Sequence, residues 1–180
     1  MVDVCRVRIM MMSVTMLIFL AAAVAGCASD PTKGYAAHTM YREDVDSVAV
    51  PIFENATFHR DLEFELTDAL IKQIEATTPY RVTSSGQADT ILTGRIHRVE
   101  LDEISRSRLT GLTEEAVVSV TIDFHWTDLR TDEPLVQRQS FTGHGLFTPS
   151  RPNSEPIAIG RFAVVQQLAR DIVSQMQAPW

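Results

Sequence analysis

The sequence predicts an α+β fold: a two-layer sandwich with two amphipathic helices packed on one face of a mixed, four- to five-stranded sheet. Three observations carry this. Leu62, Leu66, Ala69, Leu70 and Ile74 recur at helical spacing, and so do Val164, Val165, Leu168, Ile172 and Met176. Between these stripes, Ala116, Val118, Val120, Ile122, Phe124 and Trp126 alternate with Ser119, Thr121, Asp123 and His125, the period of a half-buried strand. Shorter apolar runs bounded by turn residues supply the remaining strands, giving the order β-α-β-β-β-β-α. Two helices cover one face of such a sheet and leave the other polar and exposed.

The elements follow in order. Ser47–Phe53 suits a strand that ends near Pro51, which has no N–H to give a ladder, and Glu54 to Thr57 break the run. Asp61 to Thr77 reads as the first helix, with Phe64 and Ile71 beside its stripe. Asp61 is placed to cap it, and Pro79 stops it by pushing Thr78 out of helical geometry. Tyr80–Val82 is a brief strand and Ser84–Gln87 a turn. Ala88–Leu101 is a long strand whose apolar positions change parity partway, which predicts a bulge between Gly94 and His97. Ser105–Thr113 is a hairpin loop. After the Ala116–Trp126 strand, a turn at Asp128–Glu133 leads to Leu135–Phe141, a mostly polar strand. Gly143-His144-Gly145 reads as a flexible strand end, and Phe147–Pro156 as a loop with three prolines. Pro156 opens the last helix, whose stripe begins at Ile157, with Ser154 or Glu155 as cap.

The first 26 residues read as a removable secretory signal. Arg6 and Arg8 give a basic start, which Asp3 mildly offsets. Ile9–Val24 is apolar but for Ser13 and Thr15, and Ala25-Gly26 precede Cys27. Small residues directly before a cysteine form a lipobox: the peptidase reaches the bond, and the thiol takes a diacylglyceryl group. The alternative, an uncleaved span, needs about 20 apolar residues, more than this run offers. Several acyl chains hold a protein stably where one does not, and palmitate is expected among them. Ala28 after the cysteine fits sorting to the outer membrane, with the protein on its periplasmic side. The chain thus divides into a signal peptide (1–26), a lipidated tether (27–46) that is polar and holds Pro31 and Gly34, and a domain (47–180).

Composition excludes several function classes. The chain has 16 Lys+Arg against 23 Asp+Glu, net −7, and without the leader 14 against 22. Wrapping nucleic acid needs a basic surface, so no nucleic-acid partner is expected. Cys5 leaves with the leader and Cys27 is the lipid attachment site, so neither a disulfide nor a thiol nucleophile remains. The five histidines, His38, His59, His97, His125 and His144, show no metal-ligand spacing. Neither a metal nor a cofactor is expected. Asp123 and His125 share a strand face and could hold a metal or act as a general base, but polar residues on a wet sheet face are the preferred reading. The chain carries no nucleophile-elbow, P-loop or dinucleotide motif, so no catalytic residues and no enzyme activity are expected. Arg95, Arg98, Arg106, Arg108 and Arg151 stand out in an acidic chain. Clustered, they could meet phosphate or carboxylate; taken singly, each reads as offsetting nearby acids and keeping strand edges soluble.

Several segments taken together carry a resemblance: Gly34-Tyr35 after the lipobox, Val48-Ala-Val-Pro-Ile-Phe-Glu-Asn55 with Thr57, Leu62-Glu-Phe-Glu-Leu-Thr-Asp-Ala-Leu-Ile71, Tyr80-Arg-Val82, and Ala88-Asp-Thr-Ile-Leu-Thr-Gly-Arg-Ile96. This pattern resembles the lipopolysaccharide (LPS)-assembly lipoproteins of the LptE family over nearly the whole chain. Tyr41-Arg42 stands where the family often has a Leu-Pro pair, so the chain resembles a divergent member. The resemblance implies a non-enzymatic body that plugs the outer-membrane β-barrel LptD, assists LPS transport and contacts LPS. By position it implies that Arg106, Arg108 and Arg151 make the LPS contact. The strand-helix start and the Ala88–Ile96 segment also look like the CsgG and TolB amino-terminal type of domain, in oligomeric secretion pores or periplasmic scaffolds. A pore of that type needs spare amphipathic strands to build its own barrel, and the sequence offers no such pair.

Overall fold

The computed structural model describes residues 41–149 and 155–177. Its strands are β1 (Ser47–Ala49), β2 (Glu54–Asn55), β3 (Arg81–Val82), β4 (Thr90–Arg106), β5 (Thr113–Asp128) and β6 (Pro134–Phe147), and its helices are α1 (Leu62–Thr77) and α2 (Ile157–Gln175). One mixed sheet runs β3-β1-β4-β5-β6, with β2 also on β4. The short strands pair in parallel, and β4, β5 and β6 are antiparallel. Both helices pack on the face where Val118, Val120, Ile122, Phe124 and Trp126 are buried.

The first strand run is split in two. Val48 and Ala49 are buried, as a central parallel strand requires. Ser47 is held at the strand start by the Asp89 carboxylate, which accepts from its N–H at 3.0 Å and its hydroxyl at 2.7 Å. The chain leaves the ladder after Ala49, two residues before Pro51, and returns at Glu54–Asn55, which pair with Arg95 and Ile96. Those residues were expected to break the run, but they form β2. Asn55 also shapes the next loop: its Oδ1 accepts from Thr57 N at 2.9 Å and its Nδ2 donates to His59 O at 2.7 Å. Between the two strands Phe53 is buried, and it donates its N–H to the Thr67 hydroxyl at 3.2 Å.

Helix α1 buries its expected stripe, while Phe64 is exposed. Its start corrects an expectation. Asp61 sits at φ 70° and makes no side-chain cap bond. A capping side chain needs extended backbone to turn back on the first amides, and Asp61 is left-handed instead. The helix ends as Pro79 dictates, with extended Thr78 donating its N–H and hydroxyl to Ile74 O at 2.9 and 2.8 Å.

The β4 bulge lies where the parity change put it: the register shifts between Ile96 and Arg98, leaving His97 as the extra residue. β4 runs five residues past its expected end at Leu101, to Arg106. Glu100 to Ile104 are all exposed, so pairing with β5 holds this stretch and no burial pattern marks it.

β6 extends to Phe147, and the glycine segment is a working part of it, not a flexible end. Gly143 and Gly145 face Val120 and Val118 in the ladder. A Cβ on Gly145 would strike Gly160 O and lie 2.6 Å from Val164 N, so α2 sits directly on this backbone. At the start of α2, Pro156 occupies the N-cap position with no side-chain cap. The Glu155 carboxylate accepts from Thr148 N at 2.7 Å, and Ser154 lies outside the described residues. Ile157 is exposed, while the rest of the α2 stripe is buried.

Candidate functional site

Alternation along β5 sends its apolar side chains under the helices and Ser119, Thr121, Asp123 and His125 to the opposite face. With β4 and β6 this face forms an open depression of about 760 Å³, lined among others by His97, Ser119, Asp123, Thr142 and His144. The groups on it are paired across strands. Thr121 and Thr142 hydroxyls meet at 3.0 Å, and Ser119 Oγ lies 3.0 Å from His144 Nδ1. Asp123 does not pair with His125. Its Oδ2 contacts His97 Nε2 at 2.6 Å, and its Oδ1 accepts from Ser140 N at 2.7 Å. Ser140 has φ 53°, a left-handed conformation that Asp123 holds in place where β6 slips register against β5.

The Ser140 amide, then His97, draws the Asp123 carboxyl below its usual range. No local sequence signal marks the His97–Asp123 contact, because it depends on the bulge and on strand pairing. Chemically the face is an open hydrogen-bonding surface, and its depression is not lined by His125. Among the described residues no three His, Cys, Asp or Glu side chains gather to hold a metal.

Of the four candidate arginines within the described residues, three each pair with a different acid. Arg95 pairs with Glu54 at 3.6 Å and Arg98 with Glu100 at 3.7 Å. Arg106, at the end of β4, is gripped by both oxygens of Glu103 at 2.7 Å. For these three the sequence reading of arginines offsetting acids holds. Arg108 differs: it lies exposed in the loop joining β4 to β5 and makes no ion pair among the described residues. The loop is closed by Ser107 N on Leu112 O and Gly111 N on Ser107 O, each 2.9 Å, with Gly111 at φ 70°. Arg151 and Cys27 lie outside the described residues.

At the other pole of the sheet the first described residues are fastened to the body. Tyr41 bridges Gln177 and meets the Tyr80 ring edge-on at 5.8 Å. Tyr80 packs on Trp126, and its hydroxyl accepts from Arg42 N at 2.9 Å. Arg130 joins the same pole, donating to Asp128 at 2.7 Å and to Asp44 O at 2.9 Å. The Arg130 side chain and amide hold the Asp128 carboxyl down at about 2. A carboxyl with a depressed folded pKa contributes stability above its unfolded value, here 3.8, and loses it as pH falls toward about 2. We therefore expect acid unfolding to develop between those values, and Asp128→Asn to flatten that part of a melting-temperature profile against pH. A profile unchanged by the substitution would contradict this assignment.

Residues 45–178 match the model of the LptE family, described as lipopolysaccharide-assembly. The chain belongs to the LptE family. No curated protein matches the chain. Among solved structures, a Xanthomonas campestris protein aligns at 11% identity over 72% of this LptE-family chain and 81% of its own, with TM-score 0.54. A hypothetical protein of Chlamydia trachomatis aligns at 11% identity over 73% and 95% of the two chains, with TM-score 0.52. Both share the fold. PelC of Paraburkholderia phytofirmans, solved as a dodecamer, aligns at 20% identity over 77% of this chain and 93% of its own, with TM-score 0.46.

Proposed function

We propose that this chain is an outer-membrane lipoprotein on the periplasmic side, cleaved before Cys27 and anchored by lipid there. Its α+β body plugs the LptD β-barrel and assists LPS transport and assembly. The observation that supports this is the family match, which spans the described body from Val45 through α2. In this reading residues 1–26 are the signal, 27–46 the tether and 47–180 the domain, and the chain is a binding partner and not an enzyme. Ala28 directly after Cys27 supports the outer-membrane location, and Ala25-Gly26-Cys27 supports the cleavage and the lipid anchor.

The test is recovery of the native protein from its own membranes in mild detergent, with partners identified by mass. A large outer-membrane barrel at near-equal amount is the expected result. Recovery of only its own copies in a ring-sized complex would overturn it in favour of the CsgG- or TolB-type scaffold.

Within this reading Arg106, Arg108 and Arg151 contact the LPS phosphates. Arg108 has no ion-pair partner among the described residues to give up, whereas Arg106 must exchange Glu103 for phosphate. Each charge-assisted hydrogen bond contributes about 1.5–3 kcal/mol. Arg108→Glu with Arg151→Glu is expected to weaken LPS binding at least ~10-fold with an unchanged melting temperature. Unchanged binding would remove both residues from the proposal.

A further inference from the structure

We propose that the outer edge of β4 beyond its bulge, Val99 to Glu103, is a docking edge for an extended segment of a partner protein in which apolar residues alternate with lysine or arginine. The segment joins the sheet as an added strand. β1 and β2 line the outer side of β4 only as far as Ile96, whose carbonyl accepts from Ala56 N at 2.9 Å. Beyond the bulge, among the described residues, β5 is the one strand beside β4. The ladder fixes where each backbone group points. Ile96 pairs with Ile122 and turns its carbonyl away from β5. Past the extra residue His97, Val99, Leu101 and Glu103 pair with Val120, Val118 and Ala116 in the same phase as Ile96. Side-chain face and hydrogen-bonding direction alternate together along a strand. The N–H and C=O groups of Val99, Leu101 and Glu103 therefore face outward, while those of Glu100 and Asp102 turn to β5.

The opposite edge of the sheet is guarded. On β6 the outward N–H of His144 already donates to Gln167 Oε1 of α2 at 3.2 Å, Arg138 reaches Gln175 at 2.9 Å, and left-handed Ser140 interrupts the strand. The outer stretch of β4 has no such cover, and neither a proline nor a bulge falls between Arg98 and Glu103. A strand edge left open in this way templates the pairing of another strand.

Side chains specify the occupant. On the face turned from the helices Glu100 and Asp102 are exposed. Arg98 lies 3.7 Å from Glu100, and Asp102 has no ion pair among the described residues. On the helix face Leu101 is 56% exposed beside half-buried Val99, and Glu103 is already held by Arg106. An added strand sends alternate side chains to the two faces, so it meets carboxylates on one and leucine on the other. Lysine or arginine complements the first and an aliphatic residue the second. A second copy of this chain does not fit. Pairing the edge with itself about a two-fold at Leu101 sets Glu100 against Asp102, and like charges directly opposite destabilise a sheet. The inference goes beyond the barrel and LPS reading and does not depend on it.

The test follows amide hydrogen exchange, residue by residue, in the full-length lipoprotein in nonionic detergent. The probe is a blocked heptapeptide alternating lysine and valine. Its controls are a glutamate–valine peptide and two N-methylated forms of the probe, one methylated on every valine nitrogen and one on every lysine nitrogen. The lysine–valine peptide is expected to slow exchange at Leu101 and Glu103 at least ~10-fold and to leave Glu100 and Asp102, already bonded to β5, unchanged. Only alternate amides of an added strand face β4, so one methylated form should lose this effect and the other keep it. Glu100→Gln with Asp102→Lys, both at exposed positions, should transfer the effect to the glutamate–valine peptide with the melting temperature unchanged. No slowing at Leu101 would overturn the proposal. So would equal slowing by both methylated forms, the mark of adsorption without pairing, or slowing that grows with protein concentration and needs no peptide, the mark of a second copy.

Discussion

Gly145→Val is expected to be among the most destabilising single substitutions in the domain, costing about 3 kcal/mol or more. The reason is where the new atoms would go. A Cβ at this position meets backbone on α2, Gly160 O and Val164 N, and backbone does not turn aside as a side chain does. α2 would have to lift from β6, uncovering Val164 and Leu168, which are wholly buried. In a domain of this size that amounts to a fall of roughly 10 °C in melting temperature. Two companions make the measurement specific. A Cβ on Gly143 would meet Leu168 Cγ at 2.6 Å, a buried side chain and not backbone, so Gly143→Ala should cost about 1–3 kcal/mol, less than Gly145→Val. A Cβ on Gly86 meets nothing within 4 Å, so Gly86→Ala should stay within about 0.5 kcal/mol of the parent. Equal melting temperatures for the Gly145 and Gly86 variants would show that α2 does not rest on β6 as described.

Trp126→Ala should cost about 3–5 kcal/mol, the range for emptying a large aromatic site in a packed core. Trp126 is 1% exposed and is the base on which Tyr80, and through it Tyr41, is stacked. Among the described residues its indole N–H has no hydrogen-bond partner, so the ring contributes there through packing. Trp126→Phe should therefore recover most of the loss. If Phe were as damaging as Ala, a hidden polar partner of the indole would be the better account. The same substitution bears on the tether. Tyr80 positions its hydroxyl on Arg42 N, so loosening its support should speed tryptic cleavage after Arg42 at temperatures where the domain is still folded.

How much of this was legible in the sequence differs element by element. The β5 alternation from Ala116 to Trp126 and the α1 and α2 stripes appear in the structure as burial at the expected positions. The helix stop before Pro79 and the bulge near His97 were readable because each has a local cause: a steric restriction in one case, a change of parity in the other. β2 was not readable, because a two-residue strand is defined by its neighbour, here Arg95–Ile96, and not by its own composition. The distal half of β4 carries no alternation, since neither of its faces is buried. Gly143 and Gly145 look like a loosened strand end until α2 is placed over them.

The candidate site divides in the same way. The polar outward row of β5 was visible, but its pairings were not. Asp123 stands two residues from His125, which suggested a pair. The bulge supplies His97 instead, and a left-handed Ser140 supplies the second bond. The arginines were visible as a sparse set, and only the fold separated Arg106, locked to Glu103, from Arg108, which makes no ion pair among the described residues.

By itself the sequence determined the class of the fold and the burial of its central strand and helices, because burial period and local turn chemistry are written in neighbouring residues, and its segments from Val48 to Ile96 carried the resemblance to the family that the chain belongs to. The tertiary structure decided which strands lie side by side, which charged groups neutralise one another, and which stretch of β4 is left with a strand on one side only. Those outcomes depend on contacts between residues far apart in the chain, whose energies arise only once the backbone has brought them together.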